Sequence, residues 1–325
     1  MSASAPLVDA EGVSAIFRSR GFFRPGPGLT AVNRVSLTIM RSEAVGVVGE
    51  SGSGKSTLGR LLLGLLAANE GRVRFDGSAL DSLARPDWLR LRQRAQIVFQ
   101  DPYSSLDPRR RVGSQITDGL AIHGLANSKE RTNRARELLA LVGLDAAHAE
   151  RFPHEFSGGQ RQRIGIARAI ATRPDFLVLD EPVSSLDVSI QAQILDLLAK
   201  LRAELGLAFL FISHDLPVVQ HLCDRVVVMY LGRIMEQGPA KAVFEAPAHP
   251  YTRALLSATP RIHAAARRTR ITLPGDPPSP THPPTGCVFR TRCQHAEDAC
   301  SRTVPPLQPV GLSHLAACLR LDQVG

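Results

Sequence analysis

Three clusters in this chain combine residue types that can do chemistry. Gly49-Glu50-Ser51-Gly52-Ser53-Gly54-Lys55-Ser56-Thr57 joins glycines, one lysine and two adjacent hydroxyls, Phe176-Leu177-Val178-Leu179-Asp180-Glu181 ends an apolar run on two carboxylates, and Phe156-Ser157-Gly158-Gly159-Gln160-Arg161-Gln162-Arg163 sets a hydroxyl and two glycines ahead of a basic stretch. The first is the most specific. Its glycines let successive backbone N–H groups turn inward on an anion, its lysine is a compact positive charge, and a hydroxyl beside that lysine suits a hard cation such as Mg²⁺. Together these are the parts of a phosphate site. The spacing G-x-x-x-x-G-K-[ST] arises by chance in about one chain in a hundred of this length. Lysine otherwise occurs only at Lys129, Lys200 and Lys241, with arginine carrying nearly all remaining positive charge, so lysine at this position is selective.

The elements that must position these residues are also visible. Ala44 to Val48 reads as a short buried strand and Leu58 to Leu66 as an apolar helix, the setting a P-loop requires, with the positive end of the helix dipole toward the anion. Gly49, Ser51, Gly52, Gly54, Lys55, Ser56 and Thr57 are therefore the nucleotide-binding candidates, Lys55 for the β- and γ-phosphates and Ser56 as a Mg²⁺ ligand. A strand ending in two acids can place one near the metal, Asp180, and the other near an attacking water, Glu181, as general base or water-positioner. Ser157 and Gln160 have capping-box spacing, which a well-capped helix alone would explain. Gly158 and Gly159, however, cost helix stability and leave N–H groups open, so the Ser157 to Gln160 run reads as a second phosphate-binding element, for a nucleotide not held by this chain's own loop.

With 325 residues, 44% of them hydrophobic, the chain can bury one large core or two. No apolar run reaches the ~18 residues needed to cross a bilayer and the first residues do not form a secretion signal, which points to the cytoplasm. The net charge of +9 favours anionic neighbours without choosing among nucleotide, nucleic acid and membrane surface. Strand-like runs at Ala95 to Phe99, Phe176 to Leu179, Ala208 to Ile212 and Val226 to Tyr230 alternate with helical stretches at Ile164 to Thr172 and Ile190 to Leu205, which implies an α/β core with a mainly parallel sheet. About 101–163 reads as a helical insertion, and Gly12 to Phe75, outside the P-loop strand, as short antiparallel strands. From about Pro247 the character changes, with prolines crowding Pro274 to Pro284 and four of the five cysteines after Gly286, and the domain expectation is 1–246 followed by a separate extension over 247–325.

These residues, in this order, resemble the ATP-binding cassette family. The resemblance implies a P-loop NTPase (RecA-like) core with an antiparallel β subdomain, a helical subdomain insertion and a cysteine-containing C-terminal extension. Phe156 stands where the family's signature usually has leucine, while Ser157, Gly158 and Gly159 are intact. In the family two cassettes pair head to tail, each ATP lying between one P-loop and the other subunit's signature. By the same resemblance Gln100 matches the glutamine that senses Mg²⁺ and the attacking water, Asp187 the loop crossing the dimer interface, His214 the switch histidine at the γ-phosphate, and Phe17 the ring that stacks on adenine, with Phe22 and Phe23 as rivals.

The run His249 to Pro260 and the segments Pro278-Ser279-Pro280 and Pro283 to Cys293 look like the oligopeptide and dipeptide importer ATPases, most like the second of the two ATPases such systems use. That implies ATP hydrolysis driving uptake of peptides, nickel chelates or other small solutes. It also implies a second ATPase as heterodimer partner, two membrane permeases, an extracytoplasmic binding protein, and a peripheral place on the cytoplasmic face of the bacterial inner membrane. No nucleic-acid partner is expected, because cassette ATPases acting on DNA or ribosomes usually carry two cassettes or a long coiled-coil insertion. Cys287, Cys293, Cys300 and Cys318 fit no common zinc or ferredoxin spacing. Some relatives bind a [4Fe–4S] cluster through a matching set, so a cluster, zinc and bare thiols all stand as expectations.

Overall fold

The computed structural model describes residues 5–18, 28–101, 103, 105–258 and 270–321. Its strands are β1 Val8–Phe17, β2 Leu29–Ile39, β3 Ala44–Val48, β4 Glu70–Phe75, β5 Ser78–Ala79 and β6 Ala95–Val98. They continue with β7 Phe176–Asp180, β8 Ala208–Ile212, β9 Arg225–Tyr230, β10 Arg233–Pro239, β11 Gln308–Gly311 and β12 His314–Ala316. The chain divides into two compact units. One contains Met1–Leu7, Ile39–Glu43 and Phe75–Ile212, and the other Val8–Thr38, Ala44–Arg74 and Ser213–Gly325.

In the first unit β8, β7 and β6 are neighbours in that order and pair parallel, Phe176 opposite Ala208 and Ala95 opposite Phe176. Every residue of β7 and β8 is buried, as expected for parallel strands covered on both faces, which need continuous apolar runs rather than alternation. Between residues 101 and 163 the described residues form helices and turns without strands, the longest being Ser128–Leu141. That helix starts on a capping box in which Glu130 N–H donates to Asn127 Oδ1 and Asn127 N–H to Glu130 Oε2. The helix Gly158–Ile170 begins where the capping box at Ser157 sets its start.

The second unit holds a sheet in the order β11, β12, β10, β9, β3, with β3 and β9 parallel and the later pairings antiparallel. β2, β1 and β4 are neighbours in another sheet. The helix Leu216–Leu222 packs on β3 so closely that a Cβ on Gly46 would stand 2.3 Å from Val219 Cγ1. This contact fixes the strand that leads into the glycine-rich loop.

The proline-rich tail is better anchored than its composition suggests. Glu236 of β10 is fully buried, accepts from Ala248 N–H (2.7 Å) and His249 N–H (2.9 Å), and lies 2.7 Å from His314 Nε2 of β12. A buried carboxylate must be fully hydrogen-bonded to be tolerated, so this one ties both ends of the tail to the sheet. Tyr230, Tyr251 and Phe289 form an apolar knot beside it, with ring centroids 4.8–5.3 Å apart.

His249 is sealed beneath that knot, and burial pushes its pKa down from 6.5 to about 3 against the pull of a backbone hydrogen bond at Ala317. The unfolded chain takes up this proton below 6.5 and the folded chain does not until about 3, so stability falls as pH drops through that window. Between about pH 7 and pH 5 this residue should cost about 2 kcal/mol. Urea unfolding of His249→Asn, which keeps an acceptor for Tyr251 N–H, should show a flatter pH dependence than wild type; equal slopes would exclude this origin.

Candidate functional site

The helix Lys55–Leu62 follows β3 through the glycine-rich loop, starting three residues before the Leu58 that its apolar face indicates. Gly54 is its N-cap, in the left-handed region at φ 100°, and makes no side-chain cap; no acid lies in the first turn. The first N–H groups of such a helix have no intrahelical acceptor, so the positive end of the dipole is left for an anion. A Cβ on Gly54 would stand 2.1 Å from Ala31 O, whereas at Gly52, φ 77°, nothing lies within 4 Å of that position. The loop is thus tight against β2 at one glycine and open at another, where a cradle needs space.

Lys55 is 5% exposed, and its Nζ donates to Gly49 O (2.9 Å) and Glu50 O (3.0 Å). The ammonium holds the loop in a closed curve while remaining at its centre. Ser56 and Thr57 are half-buried in the first helical turn and Ser51 is exposed on the loop. Residues of this kind fit a nucleotide's phosphates, with Lys55 and the loop N–H groups holding them and Ser56 offering a metal ligand. His214 follows β8, exposed, and belongs to the same unit as the loop. Phe17 ends β1 with 43% of its surface exposed, which leaves a ring face for stacking. Phe22 and Phe23 lie outside the described residues.

In the first unit, β7 carries Asp180, 5% exposed, at its last position. The next residue turns sharply: Glu181 has φ 46°, a conformation that costs a non-glycine residue roughly 1 kcal/mol or more and is found where surrounding contacts enforce it. Those contacts are Glu181 N–H to Ile212 O (3.0 Å), with Ser184 N–H and Oγ on Glu181 O. From this turn the carboxylate meets Gln100, whose Nε2 donates to Oε2 at 3.0 Å. The structure therefore brings Gln100 and Glu181 together across 81 residues of sequence. No sequence signal marks the positive φ.

The Ser157 run forms the expected cap: Gln160 N–H donates to Ser157 Oγ and Ser157 N–H to Gln160 Oε1 at 3.0 Å. Phe156 is buried, edge-on to His148, so the larger ring in place of leucine is taken up by the core. Gly159 has a packing role, since a Cβ there would stand 2.5 Å from Ile190 Cγ2, while Gly158 meets only Leu186 at 3.5 Å and the Tyr103 hydroxyl at 4.0 Å. Asp187 occupies the N-cap position of the helix Val188–Leu205, yet its carboxylate makes no cap bond. The adjacent Val188 is 82% exposed.

The cysteine expectation is not supported. Among the described residues no group of three or more His, Cys, Asp or Glu side chains is arranged to hold a metal ion. No disulfide joins Cys287, Cys293, Cys300 and Cys318, and Arg320 N–H points at Cys318 Sγ. Burial, more than the neighbouring thiols, pushes Cys287 up to about 11, which keeps it a protonated thiol near neutrality. The four thiols lie within electrostatic reach of one another, and no role is derived through a cluster or zinc.

The ABC transporter family matches residues 32–184, and the oligopeptide/dipeptide transporter C-terminal region matches residues 235–300. AppF, an oligopeptide transport ATP-binding protein of Bacillus subtilis, is 47% identical over 93% of this chain and 92% of its own length. A Brucella ovis protein named for peptide import and ATP binding is 51% identical over 97% of this chain and 98% of its own. The chain belongs to the ABC transporter family. Solved ABC cassettes share its fold: dimeric MJ0796 in a post-hydrolysis state with ADP and Pi has a TM-score of 0.64 and 28% identity over 72% of this chain and 98% of that one. The cassette cbiO1 from Clostridium perfringens, part of the transporter complex cbiONQ, has a TM-score of 0.65 and 30% identity over 75% and 92%.

The geometry of this ABC loop makes Gly54→Ala informative. The substitution sets a side chain in a left-handed backbone against the Ala31 carbonyl, so it should cost about 1–3 kcal/mol and lower the chemical-denaturation midpoint. An unchanged midpoint would mean the loop adopts another backbone.

Proposed function

We propose that this chain is the ATP-hydrolysing subunit of a transporter that imports peptides, and that Glu181 is its general base. The reading is supported most by the Gln100–Glu181 contact: a carboxylate held in a strained turn at a buried strand end, with an amide on one oxygen. A carboxylate so fixed can hold a water and take its proton as the water oxygen bonds to the γ-phosphorus and the bond to the β–γ bridging oxygen breaks, giving ADP and phosphate. Gln100 orients Glu181 and reports on its occupancy. Lys55 and the N–H groups of the loop hold the β- and γ-phosphates, Ser51 and Thr57 line the loop, His214 contacts the γ-phosphate, and Phe17 stacks on adenine. Ser56, Asp180 and Gln100 would hold Mg²⁺, which would supply positive charge to the transferred phosphoryl group.

Dimerisation is the second part of the reading. The Ser157 to Gln160 cap, with the first N–H groups of its helix, offers an anion site at a distance from the chain's own loop in sequence, and supports a role opposite a partner's nucleotide. The uncapped Asp187 beside the exposed Val188 suits the same interface. The partner is a second ATPase subunit, and the pair works with two membrane permeases fed by an extracytoplasmic binding protein. The chain sits on the cytoplasmic face of the bacterial inner membrane as a peripheral subunit; no described helix is long and apolar enough to cross one. AppF and the Brucella ovis relative, named for oligopeptide transport and peptide import, support peptides as the solute class.

In the transporter assembled with its permeases and partner ATPase, Glu181→Gln should lower phosphate release by roughly 10²- to 10⁴-fold while ATP binding persists. Turnover equal to wild type would remove Glu181 from this role.

A further inference from the structure

The P-loop carries an acid that phosphate chemistry does not ask for. Glu50 stands second in the loop, and its peptide is gripped on both sides: Tyr251 Oη accepts from Glu50 N–H (2.9 Å), and Lys55 Nζ donates to Glu50 O (3.0 Å). Its carboxylate faces Arg292, whose Nη1 donates to Oε1 at 3.0 Å and Oε2 at 2.8 Å. Both residues lie in the second unit, 242 positions apart. Arg292 is itself 7% exposed, its guanidinium 5.9 Å from the Tyr230 ring centroid, and its backbone N–H donates to Phe289 O in the short turn Arg290–Arg292. The tail thus delivers one buried cation to one loop carboxylate, through a turn pinned by the aromatic knot.

A carboxylate in a loop that receives a polyanion works against binding unless it is cancelled, and a buried partner is screened less than an exposed one. We propose that Arg292 of the C-terminal extension is a positioning residue for the nucleotide site, cancelling Glu50 so that the loop presents a net positive face to phosphate. This rests on the reading that the loop holds ATP. It gives the extension a part in ATP binding: the summed charge at the pair is zero in wild type, positive without the acid and negative without the arginine. Burial alone would lower the guanidinium's pKa, yet the Glu50 hydrogen bonds leave it raised, so the cation persists at every physiological pH.

The test is equilibrium binding of a fluorescent ATP analogue to the full chain in a four-member cycle. Affinity should follow summed charge: Glu50→Gln tighter than wild type, Arg292→Gln weaker by about tenfold, and the double variant restored to within about threefold of wild type. A pair that only braces the fold gives the opposite pattern, with both single variants weaker and the double no better than the worse of them, and that result overturns the proposal. Thermal melts accompany each variant. Should Arg292→Gln lose its fold, Glu50→Gln and Arg292→Lys carry the test: the first should tighten binding and the second, keeping the charge, should match wild type, and a tenfold loss in either while folded is contrary evidence. Lys55→Ala separates the two levels. Lost binding there with unchanged Arg292 variants refutes the tail's role alone, whereas undiminished binding in Lys55→Ala refutes the phosphate reading beneath it.

Discussion

The proposed phosphate site depends on Lys55 curling its own loop. A buried ammonium bonded to two carbonyls five and six residues upstream closes the curve, and the helix it begins supplies open N–H groups at the same place. Neither half would suffice. Without the lysine the glycine-rich backbone loses two of the bonds that order it, and glycine loses more freedom on ordering than any other residue. Without the uncapped helix start, a single point charge would hold an anion with little direction. β3 beneath and Leu216–Leu222 behind it keep the loop's entry fixed.

A second constraint is the strain at Glu181. A glutamate in the left-handed region stays there because β8's carbonyl and Ser184 hold its backbone, and the same turn delivers its side chain to Gln100. The role proposed for this residue depends on the fold, because β7 pairs with β8 up to the turn and β8's last carbonyl holds the Glu181 N–H.

Much of this is legible in the residues alone. Ala44–Val48 and Ala208–Ile212 stand where their apolar runs put them, since fully buried parallel strands leave an uninterrupted signature. Helix starts are legible where a capping box marks them, as at Ser157, and less so at Lys55, which opens its helix ahead of the first apolar turn. The capping box at Ser157 can be read from spacing, but the use of Gly159 to admit Ile190 cannot. Least legible is the tail. Prolines and cysteines give no sign that a buried Glu236, an aromatic knot and two added strands tie this segment to the sheet. Contacts of that range, such as Arg292 with Glu50, leave no periodicity to detect.

The most direct measurement is peptide uptake into proteoliposomes carrying the whole transporter, with phosphate release followed in the same samples and Lys55→Ala as the only change in this chain. Uptake and phosphate release should fall together to a small fraction of wild type. Uptake that continues at the wild-type rate with Lys55 gone would contradict the claim that this loop's ATP drives import.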